Sequence, residues 1–236
     1  MPKLRSKDGQ GGRIMIRVEH IDTWGFANAI RGMRNPMNSW EKIDSSWDGF
    51  GDAEGYSIGP NDLNLMQRLY KAGPEHRKYM RQIFVSMDIT APLYWWKEYD
   101  TYKVGTTANS CSTMHKITAK PFAVSDFSCE YLVSANMELL EQTIKKLNEA
   151  RNEFVNYDGS QFRIDNDMQI VDKKVIWWQI IQLLPSSYNQ KRTVTMTYEN
   201  AVNMIKQRTG HKLDEWNEFV EVLKNLPYMK EIMEVA

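Results

Sequence analysis

Apolar and polar residues alternate in two stretches of the chain. Ile14, Ile16 and Val18 within 13–21, and Ile83, Val85, Met87 and Ile89 within 82–89, predict two strands. Elsewhere the spacing is helical. Asp22 or Thr23 can cap a short helix reaching Met33. Pro60-Asn61-Asp62 opens a second, with Leu63, Met66, Leu69 and Tyr70 on one face and Gly73-Pro74 ending it. Ala91-Pro92 begins an aromatic helix, with proline in the first turn where its missing N–H costs nothing. Amphipathic spacing predicts further helices over 137–157, 172–184, 193–208 and 213–226. Residues 35–60 carry Gly and Pro with little periodicity and read as a long loop, and loops of this length are more often functional than idle. Trp40, Trp47, Phe50 and Tyr56 suggest that this loop packs down on something. The expected fold is α+β: a helix-rich subunit with a small, mostly antiparallel sheet, forming one domain from residue 13 behind a polar, disordered start at 1–12.

Composition narrows the function classes. Lys plus Arg equals Asp plus Glu, 30 against 30, so no global field draws the chain to nucleic acid or a membrane surface. The most apolar stretch, Val175 to Leu184, is too short to span a bilayer and contains Gln179 and Gln182. Cys111 and Cys129 show no paired spacing, which fits free thiols in a reducing cytoplasm. His20, His76, His115 and His211 have no metal-ligand spacing, so no metal is expected. Eight Trp and eleven Tyr are a heavy aromatic load, suited to a core, subunit contacts or ring stacking.

Chemistry concentrates between Ala91 and His115. The apolar helix containing Tyr94, Trp95 and Trp96 runs into Thr101, Tyr102, Lys103, Thr106, Thr107, Asn109, Ser110 and Ser112. A turn this rich in hydroxyls, amides and backbone donors, with one cation, suits a phosphate or a polar ring. The bland alternative is a polar linker, since Ser, Thr, Asn and Gly clusters usually make turns.

Two stretches resemble the flavin-dependent thymidylate synthases: Leu69-Tyr70-Lys71-Ala72-Gly73 with Ala91-Pro92 through His115, and Leu184-Pro185 through Arg208 to Trp216. The family signature is Arg-His-Arg, seven residues, then Ser. This chain has Thr101-Tyr102-Lys103, a spacer one residue longer, Asn109, and then Ser112. Glu98 falls where the family has a Gln that reads the pyrimidine. Arg208 matches the nucleotide-binding Arg, and His211 approximates the His that follows it. Thr197 and Glu199 replace an Asn and an Arg that hold flavin, and Ile181 replaces an Arg ahead of the Leu-Pro pair. The resemblance implies a homotetramer with sites where subunits meet. It admits FAD, although the residues that hold FAD are largely absent, because Thr, Ile and Glu cannot supply Arg's charged, planar fork.

Two functions follow from this reading. In the first, the chain binds or sequesters a nucleotide or nucleotide-derived small molecule without the usual flavin chemistry, through Glu98, Thr101, Tyr102, Lys103, Thr107, Asn109, Ser110, Ser112, Arg208 and His211. In the second, a rebuilt site still methylates or reduces a pyrimidine nucleotide. No catalytic residue can be assigned from the sequence. A purely structural or protein-binding module is the third class, in which Arg208 merely offsets a helix dipole.

Overall fold

A computed structural model of the chain describes residues 15–47, 55–159, 162–163 and 170–234. The start at 1–12 and Phe50 therefore lie outside the described residues. In chain order the elements are β1 (Arg17–Trp24), α1 (Phe26–Arg34), β2 (Ser46–Trp47), β3 (Tyr56–Ser57), α2 (Pro60–Lys71), β4 (Phe84–Pro92), α3 (Leu93–Tyr99), β5 (Thr106–Ser110), α4 (Thr113–Lys116) and α5 (Ser134–Val155). They continue as β6 (Phe162–Arg163), β7 (Ile170–Val171), α6 (Lys173–Leu183), β8 (Asn189–Thr197), α7 (Tyr198–Arg208), α8 (Asp214–Lys224) and α9 (Met229–Met233). The fold is helix-rich with a small antiparallel sheet, as the hydrophobic pattern predicts.

The chain divides into two compact units, Val18–Cys111 with Gln190–Ala236, and Ser112–Asn189 with the segment up to Arg17. The larger unit is built on a four-stranded sheet in the order β1-β4-β8-β5. Strand β4 and the residue before it, Ile83, show the expected alternation: Ile83, Val85, Met87, Ile89 and Ala91 are fully buried, while Phe84, Ser86 and Asp88 are half-buried on the other face. The smaller unit has its own core, in which Leu140, Ile144 and Leu147 of α5 meet Ile180 of α6, Phe122 and Phe127. Asn148 closes that core by bonding both the N–H and the C=O of Phe122.

The helix expected over 193–208 is a strand followed by a helix. Thr193-Val194-Thr195-Met196 is a β-branched alternation whose Val194 and Met196 are fully buried while Thr193 is exposed, so strand period wins over helix period. Thr197 then caps α7 by accepting from the Asn200 N–H. The hydroxyl-rich turn is also partly a strand: β5 pairs antiparallel with β8, Thr107 opposite Thr195 and Asn109 opposite Thr193. At the chain's start, β1 continues to Trp24, past the expected caps at Asp22 and Thr23. Gly25, at φ +98°, makes the turn into α1; a Cβ there would lie 2.2 Å from the Gln82 carbonyl oxygen.

The long loop is held from beneath by one carboxylate. Asp62 is completely buried and accepts from Arg34 Nε at 2.8 Å and Nη2 at 2.6 Å, and from the backbone N–H groups of Asp44 and Ser45. Asp44 reciprocates by capping α2 at the N–H groups of Asn61 and Asp62. Tyr56 packs on Phe26, whereas Trp40 and Trp47 are about half exposed. Burial alone would raise the Asp62 pKa, but the hydrogen bonds from Ser45 and Arg34 outweigh it and hold the carboxyl below its ordinary 3.8.

Folding therefore lowers this pKa, so its contribution is complete above the unfolded value and is lost as pH falls through the folded one. Asp62→Asn, which cannot titrate, should lower stability at pH 6 by about 3–5 kcal/mol, the range for leaving a buried charge unpaired. The gap in urea stability between wild type and variant should then narrow as the pH drops below about 3.8. A gap that stays constant down to pH 2 would contradict this role for Asp62.

Candidate ligand-binding site

Helix α3 is fixed from two directions. Trp95 is fully buried against Trp216 and Phe219, with ring centroids 4.7 and 5.4 Å away, while Trp96 turns toward the sheet and donates its indole N–H to the Gln190 carbonyl at 3.0 Å. Adjacent indoles point about 100° apart on a helix. Both are core here, and neither ring faces outward. Glu98, on the remaining side of α3, is about one-third exposed.

The turn after α3 is pinned at several points. Thr101 donates from both its N–H and its hydroxyl to the Glu98 carbonyl, and the Thr106 hydroxyl bonds the Tyr102 carbonyl. Asn200, in the first turn of α7, donates to the Val104 carbonyl at 2.6 Å. Gly105, at φ +76°, permits this closeness, because a Cβ there would stand 2.7 Å from Asn200 Oδ1. These contacts carry Tyr102 to the far end of α7.

Arg208 is the last residue of α7, and the bend at Gly210 returns the chain so that the His211 N–H bonds the Arg208 carbonyl. The guanidinium then joins four side chains. Nε donates to the Tyr102 hydroxyl at 2.8 Å, and Nη1 donates to Glu98 Oε2 at 2.6 Å. His211 Nε2 lies 3.0 Å from Nη1. The Trp216 indole N–H, from α8, donates to the same Glu98 oxygen at 2.9 Å. The guanidinium carbon also lies 4.6 Å from the Trp216 ring centre and 5.5 Å from that of Tyr102, a cation–π arrangement worth about 0.5–2 kcal/mol.

Of the residues singled out in the sequence, the structure thus brings together Glu98, Tyr102, Arg208 and His211, with Thr101 holding the turn. Trp216 was missed as a site residue, although it ends the second family-like stretch. Gln207, whose side chain bonds the Tyr102 hydroxyl at 3.0 Å, had no signal beyond its neighbour Arg208. Lys103 is exposed and makes no hydrogen bond or ion pair among the described residues. Thr107, Asn109 and Ser110 lie exposed along β5, the last strand of the sheet. Ser112 belongs to the smaller unit, where its hydroxyl caps α4 by accepting from the His115 N–H at 3.3 Å.

Thr197 and Glu199 are also committed internally. Thr197 caps α7, as above. Both Glu199 oxygens are held by Arg81, and Arg77 donates to Oε1 at 3.2 Å. Burial opposes the charge on Glu199, but the Arg81 and Arg77 hydrogen bonds prevail and lower its pKa. Among the described residues, no three His, Cys, Asp or Glu side chains converge as metal ligands would. No helix there is long and apolar enough to cross a membrane.

No protein-family model matches the sequence, and no curated protein does either. Solved structures do match. Flavin-dependent thymidylate synthase ThyX from Helicobacter pylori, complexed with FAD and dUMP, superposes with a TM-score of 0.60 at 13% identity, over 92% of this chain and 96% of that one. A UMP/dUMP methylase, PolB from Streptomyces cacaoi, bound with 5-Br dUMP, gives 0.59 at 12% identity, over 94% and 96%. The chain has the fold of the flavin-dependent thymidylate synthases. At these identities the thymidylate synthase likeness is one of backbone, and chemistry depends on the residues present.

The Glu98–Arg208 contact should be measurable as a coupling. Arg208→Ala should lower stability by about 1–2 kcal/mol, the value of a partly exposed charge-assisted hydrogen bond. Combined with Glu98→Ala, the loss should be smaller than the sum of the two single losses. Strict additivity in chemical denaturation would show that the pair carries no interaction energy.

Proposed function

We propose that this chain binds a nucleotide-derived small molecule at the Glu98–Tyr102–Arg208–His211–Trp216 cluster, on a thymidylate synthase-like scaffold, and does so without the family's usual flavin chemistry. One observation carries the reading. Glu98 and Arg208, which the resemblance puts at the family's pyrimidine-reading and nucleotide-binding positions, meet at 2.6 Å in a partly exposed cluster beside the Tyr102 phenol and the buried Trp216 indole, although they are 110 residues apart in sequence. An arrangement of charged groups beside indole and phenol rings suits a small polar heterocycle. The solved relatives with this backbone hold dUMP or 5-Br dUMP, which supports the class of ligand. By the same resemblance the chain assembles as a homo-oligomer, a homotetramer in the family, and Lys103, Thr107, Asn109, Ser110 and Ser112 contribute to sites completed between subunits.

The residues present do not fit FAD held in the family's manner. Where the resemblance puts a flavin-holding Arg stands Glu199, with both oxygens engaged by Arg81 and one also by Arg77. A carboxylate repels the flavin pyrophosphate that an Arg would clamp. A second reading, methylation of a pyrimidine nucleotide, draws on the likeness to the UMP/dUMP methylase. That reading requires FAD to bind by other residues.

A thermal-shift panel of pyrimidine nucleosides, nucleotides and FAD separates the readings. A binder gains melting temperature with a nucleoside or nucleotide and remains colourless with FAD; ligand at 100 times its Kd adds about 2.7 kcal/mol. Arg208→Ala should abolish the gain. A yellow preparation, or stabilisation by FAD alone, would favour the enzyme, whereas no response to any member would contradict nucleotide binding.

A further inference from the structure

The Arg208–Glu98 pair is one-sided. Glu98 uses only Oε2, which accepts from both Arg208 Nη1 and the Trp216 indole; Oε1 has no partner among the described residues. Arg208 in turn commits Nε to Tyr102 and Nη1 to Glu98, and its Nη2 has no partner there. The cluster therefore presents a free acceptor and a free donor that belong to a neutralised ion pair. A guanidinium with a carboxylate oxygen at 2.6 Å offers a phosphate dianion little net attraction, and the dianion also meets the like charge of Glu98. Lys103, the nearby cation in sequence, makes no contact with the cluster.

We propose that Glu98 is a specificity determinant that makes this site select an uncharged nucleoside-type ligand over its 5′-phosphate. The inference rests on the cluster being the ligand site. Oε1 accepts from an N–H or O–H of the ligand, and Arg208 Nη2 donates to a ligand oxygen. Discrimination against phosphate comes from the charge that Glu98 places beside Arg208, a repulsive element of the kind specificity commonly needs. A Gln at this position keeps the shape and an acceptor for the Trp216 indole while removing that charge, so it frees the guanidinium for an anion.

The test measures dissociation constants of deoxyuridine and dUMP by calorimetry on wild type and Glu98→Gln, with inorganic phosphate as a third probe that does not depend on the base. Wild type should bind deoxyuridine at least tenfold more tightly than dUMP and show no stabilisation by inorganic phosphate. Glu98→Gln should gain at least tenfold for dUMP and become phosphate-stabilised, and Glu98→Ala should show the same phosphate response if Glu98→Gln fails to fold. A wild type that prefers dUMP, or a preference that Glu98→Gln leaves within twofold, would overturn the selection by Glu98 while sustaining the ligand site. Failure of every form to bind either pyrimidine, with no phosphate response from the variants, would overturn the ligand site itself and this inference with it.

Discussion

One guanidinium ties the ends of three helices together. Arg208 closes α7, reaches Glu98 on α3 and the phenol of Tyr102 just beyond it, and lies over the indole of Trp216 on α8. Helices α3 and α8 converge because their apolar faces share one aromatic core, with Trp95 packed on Trp216 and Phe219. Hydrophobic burial supplies the association of the helices, and the polar cluster fixes how their ends register. At roughly 1–2 kcal/mol, the ion pair is a modest part of stability and a large part of position.

The larger unit uses the same device elsewhere. Asp62 fastens the loop between α1 and α2 through Arg34, and Glu199 fastens the start of α7 through Arg77 and Arg81. Both are carboxylates whose burial is compensated by arginine, which is the condition under which a buried charge persists. Glu199 is thereby an acid already satisfied by its own chain.

Much of the architecture was legible because hydrophobic period is a local property. The alternation through β4, the faces of α5 and α6, and the start of α2 at Pro60 could all be read directly. The end of β8, from Thr193, reads as the start of a helix because it runs without a break into α7, although the alternation of Val194 and Met196 marks a strand. The small helix α9 had no periodic signal in five residues. At the site, Arg208, Glu98, Tyr102 and His211 could be nominated by resemblance, but their mutual bonding could not. It depends on the Gly105 and Gly210 turns and on Asn200 holding the Val104 carbonyl, contacts between segments far apart in sequence.

The Trp216 indole N–H reports on the centre of the cluster, since it donates to the Glu98 oxygen that Arg208 also holds. Its resonance, assigned by loss of one indole peak in Trp216→Phe, can be followed in a nitrogen-15 spectrum during titration with deoxyuridine. A ligand bound at this cluster shifts the Trp216 indole peak saturably while that of Trp96, bonded to the Gln190 carbonyl, stays in place. A titration in which binding is detected but the Trp216 indole does not move would contradict the assignment of the site.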